Sequence, residues 1–267
     1  MEIIVSSPGS PGTSFTDNVK EQIILLSDEL EKNKDFANLP AFKNHLKACG
    51  LNANYVRNIL PFLQYCGLVK YEGIRIFDNK NFFTNIGHAY VNALRCIKIA
   101  KNEPDSDIKD NILSSLEKIQ EQIYFQCLII MMKNLECNYS VDFLDVLRFI
   151  DMYGYIDLTE YLLILHFRES EKENYISKLE DTVKKYRNHE IEVIVKSKTK
   201  NATDGEGEAK SVNSFPYVTG NFQKAGIMEK RDNKFYFVNG KKNEIRNAIE
   251  EVIKCQNLKI ADSITLS

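Results

Sequence analysis

Apolar side chains recur three or four residues apart along most of the chain and alternate with polar ones in only a few short stretches. The first pattern predicts amphipathic helices, the second half-buried strands. A helix is expected from Thr16, an N-cap candidate with Asp17 in the first turn, through VKEQIILLSDELEK (Val19 to Lys32). LPAFKNHLKACG (Leu39 to Gly50) reads as a short second helix, with Pro40 near its start and Gly50 at its end. In ANYVRNILPFLQYCG (Ala53 to Gly67) a third helix would bury Val56, Ile59, Leu60, Leu63 and Cys66. Pro61 removes a backbone donor inside it, so this helix either kinks there or starts near Asn58. LVKYEGIRIFDNKNFF (Leu68 to Phe83) predicts a hairpin turning at Glu72-Gly73 or Asp78-Asn79. Helix, helix, turn, helix and hairpin is the winged-helix order.

NEPDSD (Asn102 to Asp107) interrupts the pattern and predicts a boundary. Long helical patterns follow in IKDNILSSLEKIQEQIYFQCLIIMMKNL, SVDFLDVLRFIDMYG, DLTEYLLILHF and KENYISKLEDTVKKYR, the expected helices of a spacer that packs on itself. KSKTKNATDGEGEAKS (Lys196 to Ser211) is polar and aperiodic and reads as a loop or linker. Beyond it NSFPYVTGNFQKAG predicts a short helix ending at Gly226, IMEKRDNKFYFV a hairpin around Asp232-Asn233, and KKNEIRNAIEEVIK a closing amphipathic helix. This last unit has no first helix of its own, and the KYR helix before the loop is available to supply it.

A helix end, a glycine, an aliphatic strand and a basic hairpin therefore occur twice, at LQYCGLVKYEGIRIF (Leu63 to Phe77) and FQKAGIMEKRDNKFYF (Phe222 to Phe237). The expected fold class is mainly α with small β-hairpins: tandem winged-helix (helix-turn-helix) subdomains joined by an all-helical linker subdomain. The expected boundaries are 1–103, 104–200 and 201–267.

Charge sharpens this division. The formal net charge is only −2, yet residues 36–100 hold eight Lys or Arg against two acids, and residues 101–183 hold eight against seventeen. Residues 184–200 (six against two) and 211–260 (nine against five) are basic again. Positive charge is thus concentrated on the segments carrying the repeated unit, as binding to a phosphate backbone requires, although solvated faces can carry such runs too. No run is long enough to span a membrane; CLIIMM and YLLIL are core-sized. With no basic-then-apolar leader, a cytoplasmic protein is expected. The six cysteines form no CxxC pair and read as reduced core thiols, not as a disulfide framework or a zinc site.

In a winged helix the third helix reads base edges in the major groove while the hairpin touches the backbone. The candidates for double-stranded DNA are Asn52, Asn54, Tyr55, Arg57 and Asn58 at the first such helix, with Lys70, Arg75 and Lys80 on its wing. In the second unit they are Asn213, Ser214, Tyr217, Thr219, Asn221 and Lys224, with Lys230, Arg231 and Lys234 on the hairpin. Asn and Ser also cap helices and Tyr also fills cores, so the set carries the expectation, not any member. No catalytic residue is assigned. Asp204, Glu208 and Lys210 copy the D…ExK order of metal-dependent nucleases, but nothing apolar flanks them to hold carboxylates rigid. The four histidines form no HxxxH pair and none is read with a cysteine partner at metal spacing, so no metal or other cofactor is expected in this chain. GxGxxG, P-loop and nucleophile-elbow motifs are absent.

Several segments in order, FKNHL…NILPFLQYCGLV ending in FFTNIGHAYVNAL, then FLDVLRFIDMYGYIDLTEYLLIL, YISKLEDTVKKYR and FPYVTGNFQKAGIMEKRDNKFYFV, resemble the recognition portion of AlwI-like type II restriction endonucleases, including type IIS and nicking forms. The resemblance covers nearly the whole chain. It implies two winged-helix subdomains around a helical linker, reading an asymmetric site as a monomer. Family members carry a further PD-(D/E)xK nuclease domain, for which 267 residues leave no room. The expectation is therefore a recognition region or subunit, with cleavage and Mg2+ belonging to a separate nuclease domain or subunit. A transcription or replication regulator and a winged-helix protein-interaction module are the other functions that these features allow.

Overall fold

In the computed structural model, which describes residues 1–5, 14–32, 36, 38–50, 53–70, 81–171, 175–197 and 214–265, regular structure among the described residues consists of ten helices and two two-stranded sheets. Helix α1 (Asp17–Lys32) starts where its cap predicts, with Val19 N donating to Thr16 Oγ1 at 3.4 Å. Its buried stripe is Val19, Ile23, Ile24, Leu26 and Leu30. Asn38 caps α2 (Leu39–Ala48) by accepting from Ala41 N at 2.9 Å, and Pro40 occupies the first turn, where no backbone donor is needed. Helix α3 (Ala53–Tyr65) starts at Ala53, not near Asn58, and continues through Pro61. It buries Ile59, Leu60, Phe62 and Leu63, and Cys66 follows in the same core.

Helix α4 (Asn85–Asn102) is not among the elements expected above. Thr84 caps it, accepting from Gly87 N at 3.1 Å. The first turn of α4 lies against the chain leaving α3 so closely that a Cβ on Gly87 would fall 2.0 Å from the Leu68 carbonyl oxygen. Helix α5 (Asp107–Met132), capped by Ser106, folds back along α4. NEPDSD is thus the turn of a helical hairpin. Helices α6 (Ser140–Tyr153), α7 (Leu158–Ser170) and α8 (Tyr175–Arg187) follow as their periodicity predicts. Asp157 and Glu160 form a reciprocal capping box at the start of α7, with bonds of 2.8 and 2.9 Å.

Two short strands have no counterpart in the sequence expectations. β1 (Glu2–Val5) pairs in parallel with β2 (Ile194–Ser197), burying Ile3 and Val5, and lies against α7. The remainder is α9 (Ser214–Lys224), β3 (Met228–Arg231), β4 (Lys234–Phe237) and α10 (Lys242–Thr265). β3 and β4 pair with Arg231 opposite Lys234, and Asp232 and Asn233 both take positive φ, the two-residue hairpin expected there. Ile156, between α6 and α7, adds to the other side of β4 through backbone bonds with Phe235 of 3.0 and 2.9 Å.

One contiguous apolar core runs from Ile3 to Val252. Phe15 stacks on Tyr124 of α5 at 4.3 Å and meets Phe62 of α3 edge-on at 5.5 Å. On the other flank Phe222 of α9 packs on Phe143 of α6, and Phe215 on Tyr161 of α7 and Phe235 of β4. Helix α5 contacts α4, α6, α9 and α10. The acidic middle therefore does not pack only on itself; it supplies the centre to which both flanks are fixed. No described helix is long and apolar enough to cross a membrane. All six cysteines are free thiols; burial raises Cys127 to about 12 and Cys137 to about 11, out of reach of ordinary thiolate chemistry.

Candidate nucleic-acid interface

The two repeated stretches end their helices with the same hydrogen bonds. At the end of α3, Gly67 N donates to Gln64 O at 2.8 Å and Leu68 N to Leu63 O at 2.9 Å. At the end of α9, Gly226 N donates to Gln223 O at 3.1 Å and Ile227 N to Phe222 O at 3.2 Å. Both glycines are left-handed, with φ of +70° and +66°, so each turn is a Schellman cap that favours glycine, although the end of α8 closes with the same bonds around left-handed His189. The segments after the caps pair alike: Val69 is antiparallel to Phe83 and Met228 to Phe237, while Leu68 O and Ile227 O each accept at 3.0 Å, from Thr84 N and Val238 N. Both turns rest on α5, Gly67 against Ile130 and Gly226 against Glu121.

The expected contact residues divide unevenly over this frame. Asn54, Tyr55, Arg57 and Asn58 lie in the N-terminal half of α3, and Lys70 is exposed beside the Val69 bridge. Asn52, Arg75, Lys80 and Asn213 lie outside the described residues, as do Asp204, Glu208 and Lys210 and both turns expected for the first hairpin. In α9 the side chains of Ser214, Thr219 and Asn221 are buried and used inside the fold. Tyr161 Oη donates to Ser214 Oγ at 3.0 Å, Thr219 Oγ1 donates to Phe215 O at 2.8 Å, and Asn221 Nδ2 donates to Tyr217 O at 2.7 Å while Asn221 Oδ1 accepts from Tyr124 Oη. These three side chains face into the fold, not solvent. Tyr217 is half-buried, and Lys224 is exposed with Pro216 and Gln223.

The second hairpin gathers a cationic and aromatic surface that the residue set only half contains. Lys234 Nζ sits 4.3 Å from the Tyr155 ring centroid, and the Arg187 guanidinium lies 3.8 Å from the same centroid. The Arg231 guanidinium lies 5.4 Å over Tyr236, whose ring is 5.5 Å from Tyr155, and it also pairs with Glu229. Lys230 is exposed on the adjoining strand, and the Tyr155 hydroxyl holds Lys234 above its usual value. Arg187 is fixed by bonds to Tyr153 O and Tyr155 O, each 2.9 Å, and to Glu160 at 2.5 Å. Burial raises the Glu160 carboxyl even though Arg187 opposes the shift. Tyr155, Arg187 and Tyr236 are absent from the sequence set. The basic run 184–200 points to Arg187, but only the pairing of Ile156 with β4 brings Tyr155 and the end of α8 to the wing.

Two other features have the shape of sites. A cleft of about 560 Å³ between α1, α4, α5 and α9 is lined by Lys20, Lys98, Lys101 and Lys224 but equally by Asp17, Glu21, Glu117 and Glu121, with Lys98 paired to Glu21 and Lys101 to Glu117. Its charge is largely internally neutralised, which makes it a poor phosphate surface. Glu29, His45 and Cys49 converge between α1 and α2, an arrangement outside the sequence expectations although His45 and Cys49 stand four residues apart at one helix end. No protein-family model, curated protein or solved structure matches the chain.

Proposed function

We propose that the chain binds double-stranded DNA sequence-specifically through two winged-helix units, as the target-recognition region or subunit of a type II restriction endonuclease. The observation that carries this reading is the repeated α3 and α9 ending, with matching caps, matching hairpin openings and a common seat on α5. Element order supports it. The first unit is α1, α2, α3 and a wing closed by Val69 and Phe83; the second is α6, Ile156, α7, α9 and the β3–β4 wing, with α8 and β2 inserted between α7 and α9. A short strand between the first two helices that pairs with the last wing strand is the usual winged-helix sheet, and here Ile156 pairs with Phe235. In each unit the helix after the wing packs on the first helix, α4 on α1 and α10 on α6. On this reading α6 and α7, not the KYR helix, begin the second unit.

The two units have different tasks in the proposal. Base discrimination belongs to Asn54, Tyr55, Arg57 and Asn58 on α3, because the central polar residues of α9 are turned inward. The second unit supplies backbone contacts from Lys230, Arg231 and Lys234, with Tyr155 and Tyr236 as flat supports and Arg187, tied to Glu160 and two carbonyls, holding Tyr155 in place. The restriction-enzyme assignment rests on the ordered resemblance of the sequence segments. Selection from a randomised duplex pool followed by salt-dependent titration tests the proposal. Recovery of one asymmetric site by a monomer supports it, whereas a palindromic site bound by a dimer favours a regulator. Replacing Lys230, Arg231 and Lys234 with Ala should lower the salt slope by about 0.9 for each phosphate no longer neutralised, on all sequences alike. Arg57→Ala should instead erase about 1–3 kcal/mol of discrimination at one position. Absent or salt-insensitive binding overturns the reading.

A further inference from the structure

We propose that Glu29, His45 and Cys49 form a binding site for a borderline-soft divalent transition metal ion, zinc by preference, that clamps α2 to α1. One oxygen, one ring nitrogen and one sulfur from these residues all lie within 4.8 Å of one another. Glu29 Oε2 is 2.8 Å from His45 Nε2, and Cys49 Sγ is 3.4 Å from the same nitrogen. Tetrahedral zinc separates a nitrogen from an oxygen ligand by about 3.4 Å and from a sulfur ligand by about 3.6 Å. The sulfur–nitrogen pair already has nearly that spacing, and the oxygen–nitrogen pair must open only slightly.

The backbone places the three donors for local reasons. His45 and Cys49 stand one turn apart at the end of α2, on one face, and Cys49 N donates to His45 O at 3.0 Å as the helix closes. Glu29 belongs to the last turn of α1 and is buried at the contact. Lys32 Nζ bonds to Glu29 Oε1 at 3.0 Å, which leaves Oε2 directed at His45 and fixes the carboxylate's orientation as an outer partner of a metal site does. The Phe36 ring, 5.1 Å from the imidazole, covers its flank. Carboxylate, imidazole and thiolate together suit zinc better than magnesium or calcium, which take oxygen donors. Binding releases the thiol proton of Cys49 and takes the His45 ring with an unprotonated Nε2. The two anions then balance the charge of the ion, and water takes the fourth position.

Co2+ titrated into the reduced full-length chain provides the spectroscopic probe, because a thiolate ligand gives a sulfur-to-cobalt charge-transfer band and a tetrahedral site gives intense visible bands. The expected result is one equivalent of Co2+ with both features, bleached by Zn2+, and a thermal midpoint that rises with Zn2+ concentration. Cys49→Ser should abolish the charge-transfer band, although five other cysteines remain. Glu29→Gln should keep the band but weaken Co2+ binding by roughly tenfold or more. Circular dichroism of each variant confirms that its helices are formed, and His45→Gln serves in place of Cys49→Ser if that variant is unfolded. No band, or a band unchanged in Cys49→Ser and His45→Gln, overturns the site and leaves a Glu29–His45 hydrogen bond that ends α2 against α1. The outcome is independent of DNA binding.

Discussion

The helix ends at Gly67 and Gly226 have nearly the same backbone and opposite uses of their side chains. Before Gly67, the described side chains that α3 buries are Ile59, Leu60, Phe62 and Leu63, all apolar. Before Gly226, α9 buries Phe215, Val218 and Phe222 but also Ser214, Thr219 and Asn221. The difference comes from what lies underneath. Two tyrosines, Tyr124 of α5 and Tyr161 of α7, bring hydroxyl groups to α9, and a buried hydroxyl must find a partner there. A repeated backbone motif therefore does not imply a repeated binding chemistry. Helix α9 uses these polar side chains inside the fold, while on the β3–β4 hairpin Lys230 and Arg231 are exposed.

The largest expected effect arises beside the Gly67 helix end. Gly87→Ala would set a Cβ 2.0 Å from the Leu68 carbonyl oxygen, a backbone atom that cannot turn aside, so the first turn of α4 must move. A loss of about 3 kcal/mol or more in urea unfolding is expected, at the upper end of overpacking costs. Next, Tyr124→Phe removes the donor to Asn221 Oδ1 in the second unit and should cost about 1–3 kcal/mol by the same measurement. The two cap glycines give the direct comparison. Gly67→Ala and Gly226→Ala should each cost about 1–2 kcal/mol from left-handed φ. Gly226→Ala should be the worse, since its Cβ would fall 2.4 Å from Glu121 Oε2 and 3.3 Å from Glu121 Cβ, against 3.1 Å from an Ile130 methyl at Gly67. Equal losses would show that α5 yields as readily under both turns.

The smallest effect separates the two helix caps by pH. Helix α2 is capped by Asn38, which does not titrate, whereas α7 is capped by Asp157 and Glu160. Burial raises Glu160 above 4.5, so the folded state holds that proton more tightly than the unfolded chain. Stability from this group is full below the unfolded value and declines as pH rises through the folded one. Glu160→Gln should flatten that decline in unfolding midpoints measured upward from pH 4, while Asn38→Ala should lower the curve by about 1 kcal/mol without changing its slope.

Most helices are legible in the sequence because their signals are local. Thr16, Pro40, Gly50, Gly67 and Gly226 mark ends by capping chemistry, and Asp232-Asn233 names its own hairpin. Helix α4 falls outside the expected elements although Thr84 is a sound N-cap, because the hairpin pattern before it runs to Phe83 and leaves Thr84 as the residue between two kinds of periodicity. The expected base-reading set on α9 is legible only as residue types, and burial of Ser214 and Asn221 depends on tyrosines 53 and 97 residues away.

By itself the sequence determined where most helices begin and stop and that a helix end, a glycine and an aliphatic strand recur at Gly67 and Gly226. Those properties follow from steric and hydrogen-bonding preferences within a few residues. Tertiary structure alone decided that β1 pairs with β2, that Ile156 completes the second hairpin, that Tyr155 and Arg187 join its cationic face, and that Glu29 meets His45 and Cys49. Each of these joins segments that local propensity leaves independent. Which of them meet is set by how the whole chain buries its apolar surface around α5.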